Sequence, residues 1–377
     1  MVVLQVLPAL VSGGVERGTV EMTEAIVRAG GIALVASAGG PMVVAVERAG
    51  GRHITLKLAT RDPLNIWLNA GRLARLVREA GVQIIHARSR APAWSARIAA
   101  RRTGVPLVTT YHGAYSENLP FKRRYNAVMA SGDRVIAISQ FIAVRVLARH
   151  RTNPARLRLI PRGVDATVFD PATVAGARID KLARQWRLPD GAPVVMLAGR
   201  LSRWKGQSVV LQAVARLAHP DLCCVFVGDG PARERRRLER QAQRLGLEGR
   251  VRMVGRCDDM PAAFMLADVV VHASTEPEAF GRVVIEAQAM GRPVLASDLG
   301  GPRETIETGV TGWLLPPGDA AILAEGIAYV LALPEAERLA LGARARAAVL
   351  ENYTTAAMQA ATLDVYRELL DMAAVPA

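Results

Sequence analysis

The feature that most constrains this chain is an alternation of short apolar runs, rich in Val and Ile, with longer segments of helical period, repeated in two successive blocks. In the first block the runs fall at 2–7, 32–37, 53–57, 83–86, 106–110, 134–138 and 157–160, with helical segments such as 14–28, 64–80 and 91–102 between them. The runs do not alternate apolar with polar residues, which is the pattern of parallel strands covered on both faces. Strand–helix alternation of this kind predicts a doubly wound α/β sheet. The pattern lapses over 162–190, where Gly163, Pro171 and Pro189 accompany no clear strand, and a hinge is expected there. It resumes with runs at 193–198, 222–227, 250–254, 268–272, 293–297 and 312–315, and the tail 354–372 reads as one more amphipathic helix. A length of 377 residues suits two such domains, here 1–170 and 171–353. In open α/β sheets ligands bind beyond the C-terminal ends of the strands, so the loops after the runs are where chemistry is sought.

Composition narrows the functional classes. Hydrophobic residues at 51% and charged residues at 22% are ordinary globular usage, which argues against disorder or a fibrous repeat. No stretch reaches the ~18 unbroken apolar residues of a membrane span. Residues 1–10 are apolar but lack a basic lead and a small-residue cleavage site, so a buried first strand is expected there in preference to a signal peptide. Three cysteines, with Cys223 and Cys224 adjacent on an apolar run, exclude a disulfide scaffold and suit a reducing cytoplasm. No Cys/His cluster has zinc-ligand spacing. The net charge is +14, and all of it lies in the first half: 24 Lys and Arg against 10 Asp and Glu up to Asp170, then 24 of each. A basic half suits an anionic partner, whether nucleic acid, an acidic membrane surface or an anionic substrate. The chain is also arginine-biased, with only four lysines, but a general bias would not spare the second half.

Three loop segments carry groups suited to anions or hydroxyls. Residues 12–18 follow the first run and open a helix; Gly13 and Gly14 let backbone N–H groups approach a phosphate, and the helix N-terminus adds positive partial charge. The segment lacks a GxGxxG pattern and reads equally as a tight turn. Residues 199–206 place Arg200 and Lys205 on one loop, a guanidinium fork and a point charge able to serve the same anion. The two-glycine frame of a P-loop is missing, which disfavours a nucleoside triphosphatase. Gly228, Asp229, Gly230 and Pro231 form a turn signal. The richest segment is 276–287: Pro277 stiffens a loop that carries Glu278, a helix begins near Phe280 and Gly281, and Glu286 lies more than a turn into it. Backbone N–H groups of Ala279, Phe280, Gly281, Arg282 and Val283 are expected at its start. Carboxylates suit sugar hydroxyls, while N–H groups and cations suit phosphates, so the combination reads as a sugar phosphate or nucleotide sugar site. Complementing the helix dipole would explain Glu276 or Glu278, but not Glu286 inside an apolar helix.

In chain order, Gly13-Gly14, Thr110-Tyr111-His112-Gly113, Ile160-Pro161-Arg162-Gly163-Val164-Asp165, Gly199-Arg200 with Lys205-Gly206, the pair Glu278 and Glu286, Gly300-Gly301 followed by Glu304, and Gly309-Val310-Thr311-Gly312 resemble the retaining glycosyltransferases of family 4. The resemblance spans essentially the whole chain. It implies a GT-B fold, two Rossmann-like doubly wound parallel-sheet domains facing each other across a cleft. The acceptor is expected on the first, the donor on the second, and the helix over 354–377 is expected to cross back onto the first. It implies that Glu278 holds the donor sugar's hydroxyls and Glu286 the ribose, that Arg200 and Lys205 neutralise the leaving diphosphate, and that backbone groups of Gly13, Gly14 and 279–283 complete the phosphate cradle. His112 is implied to touch the sugar near the reacting carbon, and Gly255, Arg256 and Cys257 to line the base. The implied reaction keeps the anomeric configuration, needs no metal or other cofactor, and departs and attacks on one face. An oxocarbenium-like transition state throws charge onto the diphosphate, which fixed cations and amides stabilise more than the ground state. His86, also at a strand end, has no such support and reads as structural.

The acceptor is expected on the basic half, where Phe121-Lys122-Arg123-Arg124-Tyr125 interleaves cations with aromatics and Trp67 stands among apolar neighbours, with Arg145, Arg149 and Arg151 adding to the field. Such residues suit an anionic leaflet. The expectation is a cytoplasmic enzyme, peripheral at the inner membrane face, using UDP- or GDP-sugar to build a lipid-linked or lipopolysaccharide-type glycan. Two rivals stand beside it: a nucleotide-sugar epimerase of the same fold, and a non-enzymatic nucleic-acid binder. The second has no RNA-recognition, KH, helix-turn-helix or zinc signature, and aromatics are 5%, few for base stacking.

Overall fold

A computed structural model describes residues 1–115, 119–217 and 219–374. The chain divides into two compact units, one of Met1–Arg162 with the helix from Thr355 and the other Gly163–Thr354.

The first unit holds a seven-stranded parallel sheet of β1 (Val2–Val6), β2 (Ile32–Ser37), β3 (Arg52–Thr55), β4 (Ile84–Ala87), β5 (Leu107–Tyr111), β6 (Arg134–Ala137) and β7 (Leu157–Leu159), in the order β3-β2-β1-β4-β5-β6-β7. The second holds a six-stranded sheet of β8 (Val194–Ala198), β9 (Cys223–Val227), β10 (Val251–Gly255), β11 (Val269–His272), β12 (Val294–Ser297) and β13 (Trp313–Leu315), in the order β10-β9-β8-β11-β12-β13. Both follow the Rossmann order, in which the direction of winding reverses beside the first strand. In the first unit the reversal lies between β1 and β4, in the second between β8 and β11. The strands are Val- and Ile-rich because they are covered on both faces; every residue of β8 and β9 is buried. Each observed strand lies within a residue or two of the expected run.

The last helix, Thr355–Ala374, packs Met358, Val365, Tyr366 and Leu369 into the core formed by Val3, Ile26, Ile84, Val108 and Ile136 of the first unit. Polar anchors set its position. Glu368 accepts from Arg134 at 2.6 Å and from Arg158 at 2.5 Å. The Tyr366 hydroxyl lies 2.6 Å from His86 Nδ1, and Thr110 Oγ1 lies 2.6 Å from Nε2. Burial, with Arg88 adding to it, pushes the His86 pKa well below its ordinary value, so the ring is neutral and both nitrogens are used. Tyr366→Phe leaves a fully buried imidazole nitrogen without this partner. The expected cost is about 1–3 kcal/mol, read as a lower urea midpoint for the first unit.

The boundary between units falls before the expected position at 170. Residues 163–170 belong with the second unit: Val164 N–H donates to Tyr353 O at 2.9 Å, Phe169 meets Phe264, and Asp170 pairs with Arg346 at 3.0 Å. The strandless stretch 162–190 also contains a helix, Gly176–Trp186, whose Arg178 donates to both carboxylate oxygens of Asp259. Among the described residues no helix is long and apolar enough to cross a membrane.

Candidate functional site

The second unit assembles a charged cluster at its winding reversal. β8 and β11 are neighbours, pairing Val195 with Val269 and Met196 with Val270. The loop after β8 ends at Gly206, with φ 77°. A Cβ there would fall on the carbonyl oxygen of Ala273, just past β11, so only glycine lets the two loops touch. Trp204 O accepts from Thr275 N–H at 2.7 Å and completes the clamp. Lys205, whose Nζ lies 4.7 Å from the Trp204 ring centroid, thereby reaches Glu278 and forms an ion pair with it. Glu278 is held from the other side by His272 Nε2 at 2.8 Å and Ser274 Oγ at 2.6 Å. Its backbone carbonyl accepts from Gly301 N–H at 2.9 Å. Burial acts to raise the Glu278 pKa and is the largest single influence. The opposing charges and hydrogen bonds of His272 and Lys205 together outweigh it and hold the carboxyl well below its ordinary range.

The remaining expected residues are placed as follows. Phe280 is buried edge-on to Tyr353, and Gly281 caps the helix Arg282–Ala289 with φ 86°. Ala279 and Val283 flank this turn. Glu286 is 6% exposed, with Arg282 Nε 3.6 Å from its Oε1. Arg200 is exposed, and its carbonyl accepts from Gln207 Nε2 at 3.0 Å, which ties the loop to the following helix. Gly255 ends β10, Arg256 pairs with Asp258 at 2.9 Å, and Cys257 is half-buried, its thiol pushed up by burial. In the first unit Gly13 caps the helix Gly14–Arg28, and Arg162 donates to Gly14 O at 2.9 Å. His112 directly follows β5 and is half-buried. The structure therefore brings Lys205 and Glu278 into contact. Glu286 is placed beside Arg282, and Arg200 is exposed.

Two members of the cluster were missed from sequence. His272 closes a strand of three valines, and Ser274 follows two residues on. The signal was there, a single titratable side chain at a strand's C-terminal end, the same position that singled out His112. Its partner is Glu278, six residues away on a loop, a spacing with no helical or strand periodicity to reveal it.

The family model described as Glycosyltransferase Family 4 matches residues 12–168, and that described as Glycosyl transferases group 1 matches 178–348. A solved glycosyltransferase from Rickettsia africae ESF-5 is 34% identical, covers 98% of each chain and superposes with a TM-score of 0.90. The chain belongs to glycosyltransferase family 4. This family 4 chain has the GT-B fold class of two Rossmann-like units. It is also similar to Anabaena HepE in complex with UDP-glucose, at 27% identity and TM-score 0.86, covering 98% of this chain and 100% of that one. A D-inositol 3-phosphate glycosyltransferase from Salinispora tropica is 32% identical over 321 residues, 78% of this chain. The match spans 66% of that relative's length, a little under two thirds.

Proposed function

We propose that this family 4 chain moves a glycosyl group from a nucleotide diphosphate sugar, UDP-linked in the first instance and GDP-linked as the alternative, to a hydroxyl of a glycan or lipid-linked acceptor, with retention. The observation that carries the reading is the Lys205–Glu278 pair at the β8/β11 reversal, a cation for phosphate beside a carboxylate for hydroxyls where this fold binds ligands. The UDP-glucose complex of HepE supports a UDP-sugar donor, and the ordered motifs that resemble retaining enzymes support retention.

In this reading Glu278 accepts from sugar hydroxyls, Glu286 holds the ribose, and Arg200 with Lys205 takes the diphosphate charge that a metal carries in other transferases. Amides at the start of the helix Arg282–Ala289 add to that charge stabilisation, and Gly255 to Cys257 line the base. In the first unit the helix turn at Gly13 and Gly14 and His112 serve the phosphate and sugar. A thermal-shift panel of UDP-glucose, UDP-galactose, UDP-N-acetylglucosamine, GDP-mannose and ADP-glucose tests it. One donor at a hundred times its Kd raises stability by about 2.7 kcal/mol, a shift of several degrees; no shift with any of the five sinks the reading. Glu286→Ala is expected to lower turnover at least ~10-fold with the circular-dichroism spectrum unchanged, since it removes a charged hydrogen-bond acceptor.

For the acceptor side, the first unit carries the basic excess and exposes Phe121, Trp67 and Leu64 at 66%, 56% and 65%. Arg102 covers the Trp67 ring at 5.0 Å, and Arg61 lies 5.8 Å from the Tyr125 centroid. Exposed aromatics among arginines support peripheral contact with an anionic leaflet, at about 1 kcal/mol per cation near the surface. Co-sedimentation with phosphatidylserine vesicles should be strong at low salt and fall steeply in high salt. Absence of salt-sensitive binding to the anionic vesicles would leave the acceptor as a soluble glycan.

A further inference from the structure

All three donors to the Glu278 carboxylate converge on one oxygen. Lys205 Nζ, His272 Nε2 and Ser274 Oγ each contact Oε1. Among the described residues none donates to Oε2. Two of the three donors are built into the rigid part of the unit: His272 is the last residue of β11, paired with Ala296 of β12, and is 5% exposed, while Ser274 is 1% exposed. Lys205 stands on the phosphate-facing loop and has three N–H donors to share.

We infer that His272 and Ser274 are positioning residues that pin Glu278 through Oε1 so that Oε2 is presented, ionised and in one rotamer, to a hydroxyl of the donor sugar. This rests on the donor-site reading given above. A glutamate left free in the loop would lose several torsions on ligand binding, and freezing them beforehand removes that cost. The arrangement needs a His272 proton on Nε2, where the contact to Oε1 places it. Ser274 Oγ lies 3.4 Å from the same ring nitrogen, and its shorter contact, 2.6 Å, goes to Glu278. His272 and Ser274 therefore both serve the carboxylate. Lys205 can then turn toward a diphosphate without releasing Glu278, because two donors remain.

Calorimetric titration with UDP and with UDP-glucose separates positioning from support of the fold, because UDP has no sugar for Glu278 to hold. UDP affinity should stay within about twofold in His272→Leu, Ser274→Ala and Glu278→Ala. UDP-glucose affinity should fall by about tenfold or more in His272→Leu and Glu278→Ala, and by several-fold in Ser274→Ala. His272→Gln, which places an amide N–H where Nε2 stood, should recover most of the loss. The inference is overturned if Glu278→Ala weakens UDP-glucose while His272→Leu and Ser274→Ala bind it like the parent. If Glu278→Ala also binds like the parent, the donor-site reading fails and the inference goes with it. A His272→Leu chain that loses both ligands together reports a damaged fold, and the Gln and Ser274→Ala chains then decide.

Discussion

Lys205→Ala is expected to lower turnover on the nucleotide sugar by about 10²–10³-fold while leaving the second unit folded. The side chain is 15% exposed, and among the described residues its charged head contacts the Trp204 ring and the Glu278 carboxylate. Its loss removes a cation poised for charge that grows on the diphosphate as the glycosidic bond breaks, so the effect should fall on kcat more than on KM. Lys205→Arg should restore part of the rate, limited by the planar fork's poorer fit to a point-charge position. The pair also has a pH signature. The folded Glu278 carboxyl titrates below its ordinary value of 4.5, so the stability it contributes is fully present above that value and is lost as pH falls through the folded pKa. Urea midpoints of the parent and Lys205→Ala should differ at neutral pH and converge only in strong acid. A parent-like kcat for Lys205→Ala would remove the donor-site assignment.

Gly206→Val is expected to be the most damaging change that alters no functional group. The valine Cβ would lie 1.8 Å from the Ala273 carbonyl oxygen, and φ 77° is strained for any β-branched residue. Strain of this kind costs about 1–3 kcal/mol before the clash is counted, and relief requires the loop after β8 to move away from β11. Lys205 is the residue before Gly206, so that movement separates it from Glu278. Donor binding should be abolished and the urea midpoint of the second unit lowered. Gly206→Ala should show both effects in weaker form. If Gly206→Val keeps donor affinity, the clamp between the two loops does not position the site.

The two variants probe different layers of one arrangement, and they divide what could be read in advance from what could not. The strand runs, the glycine-terminated loops and the ion-bearing segments at 199–206 and 276–287 were legible, because apolar periodicity and turn chemistry are local properties. The shared loop marks Arg200 and Lys205 as a pair for one anion; in the structure Arg200 is exposed and Lys205 is ion-paired with Glu278. The resemblance places Lys205 and Glu278 at one donor, but the direct contacts of Glu278 have no local signature. Lys205 lies 73 positions before it, and His272 stands six before it across an irregular loop. The boundary near 170 moved for a similar cause: Asp170 looked like the end of the first block, but its ion pair is with Arg346, far along the chain.

By itself, the sequence determined two parallel α/β sheets, the loops that bear the chemistry, and the excess of positive charge on the first half, since each follows from composition or short-range pattern. Tertiary structure alone decided which of those loops meet. The reversal of winding sets β11 against β8, and the glycine that tolerates a left-handed backbone closes the gap, so a lysine and a glutamate distant in the chain become one ion pair. Contact between distant residues depends on strand order, and strand order is fixed by how the whole sheet buries its two faces, which no local window of residues records.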